Sequence, residues 1–155
     1  MELEQATDFL SVLLDPKGFD FESKAQPFNS GYAPIIAATT YLFFILLVLP
    51  NIQTFRNRLK PALAIHNAIL CVASMIMFSG TIHALYETKS FTLDRYFCEN
   101  PDAPAKGSLY YWSYIYYLSK YYELIDTALA ILNGSRIPHF KLHVFHHACV
   151  LFMAF

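Results

Sequence analysis

The sequence predicts an all-α integral membrane protein that contains about three to four spans of a polytopic helical bundle. Hydrophobic residues make up 55% of the 155-residue chain and charged residues only 15%, whereas about 25% of a typical globular protein is charged. The apolar residues also fall into long blocks, and a chain of this length has too small an interior to bury them all. Composition and blocking together therefore indicate a chain that is solvated by lipid.

Four segments are candidate spans, because about 20 mostly apolar residues are needed to cross the hydrocarbon layer. Residues 33–50 and 61–86 contain no charged side chain, while 107–132 is rich in tyrosine and includes three charged residues. A fourth segment begins near Leu142 and is still apolar at Phe155. A membrane protein does not normally end inside a span, so we expect this chain to be the N-terminal part of a longer protein.

The charges of the loops predict the orientation, because Lys and Arg accumulate on the cytoplasmic side. The loop after the first span and the loop before the fourth contain basic residues and no acid. Residues 1–32 are acidic overall, and the 87–106 loop mixes both signs. The sequence therefore predicts a lumenal N-terminal segment, 1–32, followed by a transmembrane part, 33–155. The glycosylation pattern at Asn133 would then face the cytosol, so we predict that Asn133 is unmodified and ends the third helix.

Polar residues of the third segment form a stripe on one helix face. Lys120, Glu123 and Thr127 fall within about 60° of one another, and Asp126 lies about 60° further round. A charge in hydrocarbon costs about 2.5–3.5 kcal/mol at a helix centre, so the stripe is expected to face a bundle interior or a wet cavity. Lys120 and Glu123 are close enough to pair. The stripe predicts either a buried ion pair between helices or the wall of a substrate site.

A histidine box, HxxHH, opens the fourth segment with His143, His146 and His147. On a helix these three residues share a face about 100° wide. Imidazoles in such a cluster bind iron, zinc or copper, as in the histidine boxes of membrane desaturases and hydroxylases. They can also act in acyl chemistry as base or nucleophile near neutral pH. Both chemistries are open on the residues alone.

The remaining histidines form no second box. We predict that His66 and His83 are residues of helix packing and that His139 is a solvated loop residue.

The two motifs together resemble the signature of the very-long-chain fatty acid elongases, the ELO-type 3-ketoacyl-CoA synthases. KYYELIDT at 120–127 matches KxxExxDT at all four fixed positions, and HVFHH begins sixteen residues after Thr127. LKPALAIHN at 59–67 also resembles the opening of that family's second span. The resemblance covers most of the chain from about Tyr32 onward.

This resemblance implies a seven-span, multi-pass protein of the endoplasmic reticulum membrane with a lumenal N-terminus. It implies a very-long-chain 3-oxoacyl-CoA synthase, an acyltransferase that condenses malonyl-CoA with a long-chain acyl-CoA and releases CO2 and CoA. The expected partners are these two CoA esters, membrane lipid and other enzymes of the elongation cycle. No cofactor, metal or nucleic acid is expected, and the net charge of −1 offers no basic stripe for nucleic acid.

The site that the resemblance implies contains catalytic and substrate-binding residues. His143, His146 and His147 are the expected catalytic residues, with His146 as the nucleophile. The expected substrate-binding residues are Lys120, Glu123, Asp126 and Thr127. Family members are about twice as long as this chain, so the 155 residues by themselves are expected to be inactive. The alternatives are a metal-dependent histidine-box oxidoreductase and a truncated, non-catalytic membrane subunit.

Overall fold

The computed structural model describes residues 15–22, 26–52, 55, 58–87 and 104–155. In these ranges the chain is helical and contains no strand, which confirms the all-α prediction. The first helix, α1, is Tyr32–Phe43, and it continues through a π-helical turn, Phe44–Val48, and a 3-10 turn, Leu49–Asn51. The later helices are α2, Lys60–Glu87, α3, Ser108–Leu132, and α4, Phe140–Ala154.

Two of these segments are long and apolar enough to cross a membrane, namely Tyr32–Asn51 and Lys60–Glu87. They match the predicted spans 33–50 and 61–86. The third predicted span is a helix over nearly the predicted range, but its charged residues separate it from the first two. The fourth is a shorter apolar helix of 15 residues. The chain is therefore an all-α membrane protein, and its number of spans stays a prediction.

Prolines stand where the backbone can do without an N–H group. Pro34 and Pro61 lie in the first turns of α1 and α2, where backbone N–H groups have no partner within the helix. Pro50 lies in the 3-10 turn after α1, beyond which Ile52 is extended. In the sequence, polar residues stand between the first span and the second.

The end of α3 is a Schellman motif that is built on Gly134. This glycine has φ of 69°, and its N–H donates to the Ile131 carbonyl while the Ser135 N–H donates to the Ala130 carbonyl. A positive φ costs glycine little, so the residue suits this position. The predicted helix end at Asn133-Gly134 is thus confirmed.

Asn133 itself is 2% exposed, and both ends of its amide are bonded. Its Nδ2 donates to the Ser135 hydroxyl at 2.9 Å, and its Oδ1 accepts the backbone N–H of Leu59 at 3.0 Å. The side chain therefore joins the end of α3 to the residue before α2. The absence of a glycan on Asn133 stays a prediction.

The described residues divide into two compact units. The first, which we call the aromatic unit, contains the described residues of 15–29 and 75–115. Phe19 is 1% exposed there and packs on the rings of Tyr111 and Tyr114, with centroids 5.8 and 5.3 Å away. The Gly107 N–H donates to the Phe19 carbonyl at 2.8 Å. The N-terminal chain is thus fixed onto the start of α3 by one buried ring and backbone bonds.

Much of the predicted lumenal segment and of the 87–106 loop lies outside the described residues, namely at 1–14, 23–25 and 88–103. The boundary between 1–32 and 33–155 and the side of the membrane stay predictions.

The second unit, which we call the histidine unit, contains the described residues of 30–74 and 116–155. Its core consists of side chains from α1 and α4, against which part of α3 packs. Tyr41 of α1 and Ile45 of the π-helical turn after it lie there beside Val144, Ala148 and Leu151 of α4. These positions recur every three or four residues, as expected for helices that bury one face against each other. This packing brings the polar stripe and the histidine box together.

Candidate functional site

A chain of hydrogen bonds joins three helices at the centre of the histidine unit. The Tyr41 hydroxyl, on α1, donates to Thr127 Oγ1, on α3, at 3.0 Å. The same Thr127 oxygen lies 3.1 Å from Nε2 of His143, on α4. Thr127 is 0% exposed and Tyr41 6%, so these bonds form away from solvent. One residue of each predicted motif, Thr127 and His143, is thereby brought into direct contact.

The three imidazoles of the histidine box lie side by side on α4. The ring centroids of His143 and His147 are 4.5 Å apart, and those of His146 and His147 are 5.6 Å apart. His146 is exposed, whereas His143 and His147 are half-buried. His147 therefore stands between an exposed imidazole and one that is bonded into the interior.

The charged residues of the stripe lie on α3 close to this box. The Lys120 ammonium is 2.5 Å from the Glu123 carboxylate, as predicted, and 4.4 Å from the ring centroid of Tyr116. Both charged side chains are mostly buried, at 13% and 23% exposed. The carboxylates of Glu123 and Asp126 interact electrostatically with His147. The stripe thus supplies a partly neutralised cation and negative charge beside an imidazole.

Tyr41 is a site residue that the sequence interpretation missed. Its hydroxyl bonds Thr127, and its ring centroid lies 6.4 Å from that of His147. The sequence signal that could have found it is the phenol of Tyr41 inside the uncharged segment 33–50. A buried tyrosine hydroxyl usually has a hydrogen-bond partner, so its presence in a span indicates a polar group on a neighbouring helix.

The other histidines lie apart from the box. His66 is buried and stacks on Tyr122, with centroids 4.6 Å apart, as predicted for helix packing. The same prediction for His83 is wrong, because its side chain is 73% exposed and points outward beside Glu87, one turn later on α2. His139 is exposed, as predicted, and precedes α4 with a left-handed backbone.

Within the described ranges, no group of three or more His, Cys, Asp or Glu side chains is arranged to hold a metal ion. One nitrogen of His143 already faces the Thr127 hydroxyl.

The fold and the site define a helical membrane protein whose polar centre combines histidines with a charged stripe. Residues 26–155 match the profile of the ELO family, described as the GNS1/SUR4 family. The chain belongs to this family, and the resemblance drawn from the two motifs is confirmed.

Individual relatives agree with this assignment. Two Dictyostelium discoideum proteins, each named as a candidate fatty acid elongase, are 36% identical over 151 residues and 38% identical over 144 residues. The alignments cover 92% and 87% of this chain but 48% and 54% of the relatives. Fatty acid elongase sre1 of the same organism is 33% identical, over 86% of this chain and 50% of the relative. The chain spans about half the length of the curated relatives it matches. No solved structure matches it.

Proposed function

We propose that these residues form the acyl-condensing site of a fatty acid elongase, a 3-oxoacyl-CoA synthase that joins malonyl-CoA to a long-chain acyl-CoA. The family and the names of the relatives support elongation as the function. The observation that carries the proposal is the 3.1 Å contact between Thr127 and His143, because it unites the two motifs in one polar centre. The enzyme acts within a chain of the relatives' length and in the membrane of the endoplasmic reticulum.

The reaction begins with acyl transfer to an imidazole. His146 is exposed, so its ring is accessible to the thioester of an acyl-CoA, and we assign it the nucleophilic role. Its nitrogen attacks the thioester carbonyl, the carbon–sulfur bond breaks, and CoA leaves as a thiolate that takes up a proton. Malonyl-CoA then loses CO2, and the resulting carbanion attacks the acyl-imidazole carbonyl. Expulsion of the imidazole gives 3-ketoacyl-CoA.

The neighbours of His146 serve the proton transfers and the developing charge. His147, whose ring centroid is 5.6 Å from that of His146, accepts and returns protons. Both tetrahedral intermediates carry negative charge on oxygen, which positioned donors stabilise. Lys120 is the nearby cation of the stripe, and Glu123 and Asp126 hold it and the histidines in place. These residues also contact the polar end of the acyl-CoA.

An acyl adduct on His146 is the direct test. The full-length protein is mixed with a long-chain acyl-CoA without malonyl-CoA, and its intact mass is recorded. We expect a gain of one acyl group in the natural protein and in His139→Ala, whose histidine is exposed before the same helix. His146→Ala should show no adduct and should lose at least about a hundredfold in rate, as expected when a nucleophile is removed.

Other outcomes separate the alternatives. The acyl-imidazole mechanism would be refuted if the natural protein were active but carried no acyl adduct by intact mass. Unchanged activity in His146→Ala would refute it as well. Stoichiometric iron or zinc in the purified protein, with activity lost to a chelator, would favour the metal-dependent oxidoreductase. Binding to other elongation-cycle enzymes without catalysis by the full-length protein would favour the non-catalytic subunit.

The 155-residue chain alone is proposed to be inactive. It spans about half the length of its relatives, and the exposed side of the histidine box has no cover among the described residues. Expression of the chain alone and of the full-length protein in membranes, followed by measurement of 3-ketoacyl-CoA, tests this. Condensation by the short chain at a rate near that of the full-length protein would refute it.

A further inference from the structure

The Thr127 hydroxyl is bonded to side chains of other helices, unlike two other threonines that lie inside helices. Thr39 on α1 and Thr81 on α2 both donate to the carbonyl four residues earlier, at 2.8 Å. Thr127 instead has its oxygen between Tyr41 and His143, at 3.0 and 3.1 Å. Because its proton is not committed to its own helix, it is available to a neighbouring side chain.

The direction of the bonds follows from counting protons. A threonine hydroxyl has one proton and accepts at its lone pairs. The Tyr41 hydroxyl donates to Thr127, and in the part of the chain that the structure describes no other acceptor is bonded to the Tyr41 proton. If the two hydrogen bonds ran the other way, from His143 to Thr127 and from Thr127 to Tyr41, the Tyr41 proton would be buried without an acceptor, which is unfavourable. Thr127 could also accept from both neighbours, but its own proton would then be buried without an acceptor among the described residues. Thr127 therefore accepts from Tyr41 and donates its own proton to His143 Nε2.

We infer that Tyr41 is a positioning residue of the condensing site, which acts through Thr127 to fix the tautomer of His143. An Nε2 atom that accepts a proton from Thr127 bears no hydrogen, so the neutral ring carries its proton on Nδ1. A hydroxyl that accepts one hydrogen bond is a stronger donor in the next, so Tyr41 strengthens the bond to His143. The functional part of this inference rests on the proposed condensation, whereas the tautomer does not.

The tautomer is read directly from the histidine nitrogens. Full-length protein is labelled with ¹⁵N-histidine, and the His143 signals are assigned by their loss in His143→Gln. At a pH where His143 is neutral, we expect Nδ1 protonated and Nε2 bare. In Tyr41→Phe the two tautomers should mix. A natural protein with the proton on Nε2, or a Tyr41→Phe spectrum identical to the natural one, would overturn the inference whatever the enzyme does.

The kinetic effect should appear in kcat. Tyr41→Phe removes one neutral hydrogen bond, which corresponds to about a 3- to 10-fold loss, with KM for both CoA esters unchanged. Tyr32→Phe is the matched control, because Tyr32 begins the same helix and is 74% exposed. This control should match the natural protein.

A double-mutant cycle separates positioning from general packing. If Tyr41 acts through Thr127, adding Tyr41→Phe to Thr127→Val should cost nothing further in kcat. Thr127→Ser keeps the hydroxyl and should preserve the response to Tyr41→Phe. Additive losses in the double variant would overturn the proposed route through Thr127.

The two proposals fail in different ways. If the full-length natural protein forms no 3-ketoacyl-CoA, the proposed condensing function is wrong, and the ¹⁵N spectra still test the tautomer of His143. An active natural protein with an equally active Tyr41→Phe contradicts the positioning role alone.

Discussion

The aromatic unit and the histidine unit differ in the kind of contact that stabilises each of them internally. In the aromatic unit the buried contacts are mainly between rings, with a bond from the Tyr114 hydroxyl to the Pro27 carbonyl, and the charged pairs Lys17–Glu87 and Asp20–Lys106 are largely exposed. In the histidine unit polar side chains are buried and bonded to one another, with Thr127 fully covered. Exposed ion pairs contribute little to stability, whereas a buried polar group that loses its partner is costly. Removing a buried polar partner in the histidine unit should therefore cost much more stability than breaking an exposed ion pair in the aromatic unit.

The largest effect is expected from Thr127→Val, which keeps the shape but removes the central hydroxyl. The Tyr41 hydroxyl and His143 Nε2 both lose a partner in the interior, and the free energy of unfolding should fall by about 2–4 kcal/mol. Thermal unfolding in detergent measures this. Thr39→Val, the same change at an exposed position on α1, should have a much smaller effect, and equal losses for both would contradict the comparison.

The aromatic unit should respond instead to changes of shape. A Cβ atom on Gly80 would lie 2.0 Å from the Trp112 indole. Gly80→Ala should therefore lower the free energy of unfolding by about 1–3 kcal/mol, as overpacking does. In a Trp112→Ala background the same change should raise the free energy of unfolding by about 0.5–1 kcal/mol, because alanine is more favourable than glycine inside a helix. A loss that is independent of Trp112 would show that the contact is not the cause.

Asn133→Ala tests a polar tie between loops in the histidine unit. The Leu59 N–H loses its acceptor, and we expect a loss of about 1–2 kcal/mol in the free energy of unfolding. Asn51→Ala removes a bond to the Leu47 carbonyl at an exposed site and is the control. If the two variants unfold at the same temperature, burial is not what makes the Asn133 bonds important.

His66→Phe should act in the opposite direction. The Nε2 atom of His66 is buried with no hydrogen-bond partner among the described residues, and the ring already stacks on Tyr122. Replacing it with a similar apolar ring removes the unbonded group, so the free energy of unfolding should rise by up to about 1 kcal/mol. His83→Phe, at an exposed position of the same helix, should leave the unfolding temperature unchanged. A clear loss in His66→Phe would indicate a polar partner for this imidazole.

The smallest effect is expected at Asp20 in the aromatic unit. The Lys106 ammonium, 2.8 Å away, holds the pKa of the Asp20 carboxyl below its usual 3.8. A lowered pKa means that the pair stabilises the fold at neutral pH and that this contribution disappears as the pH falls below 3.8 through the folded-state value. The difference in unfolding temperature between Asp20→Asn and the natural protein should be slight at pH 7 and absent near pH 2. A difference that grows on acidification would reverse the assigned sign.

The outcome at the histidines shows where sequence patterns succeed and where they fail. A period of 3.6 residues places His143, His146 and His147 on one face of a helix, and the same geometry pairs Lys120 with Glu123. The pattern does not give the orientation of an isolated polar residue in a long apolar helix. His66 and His83 have similar surroundings in sequence, yet the first is buried and the second is exposed.

Sequence alone determined the helical membrane class, the two segments long and apolar enough to cross a membrane, the end of α3 before Asn133-Gly134 and the family to which both motifs belong. These properties depend on residues close together in the chain, through hydropathy, helix period and backbone preference. Tertiary structure alone decided that Tyr41 bonds Thr127, that Thr127 reaches His143 and that His146 is the exposed imidazole of the box. Such pairings join residues up to 86 positions apart, and they depend on which helix faces pack together, which no local pattern specifies.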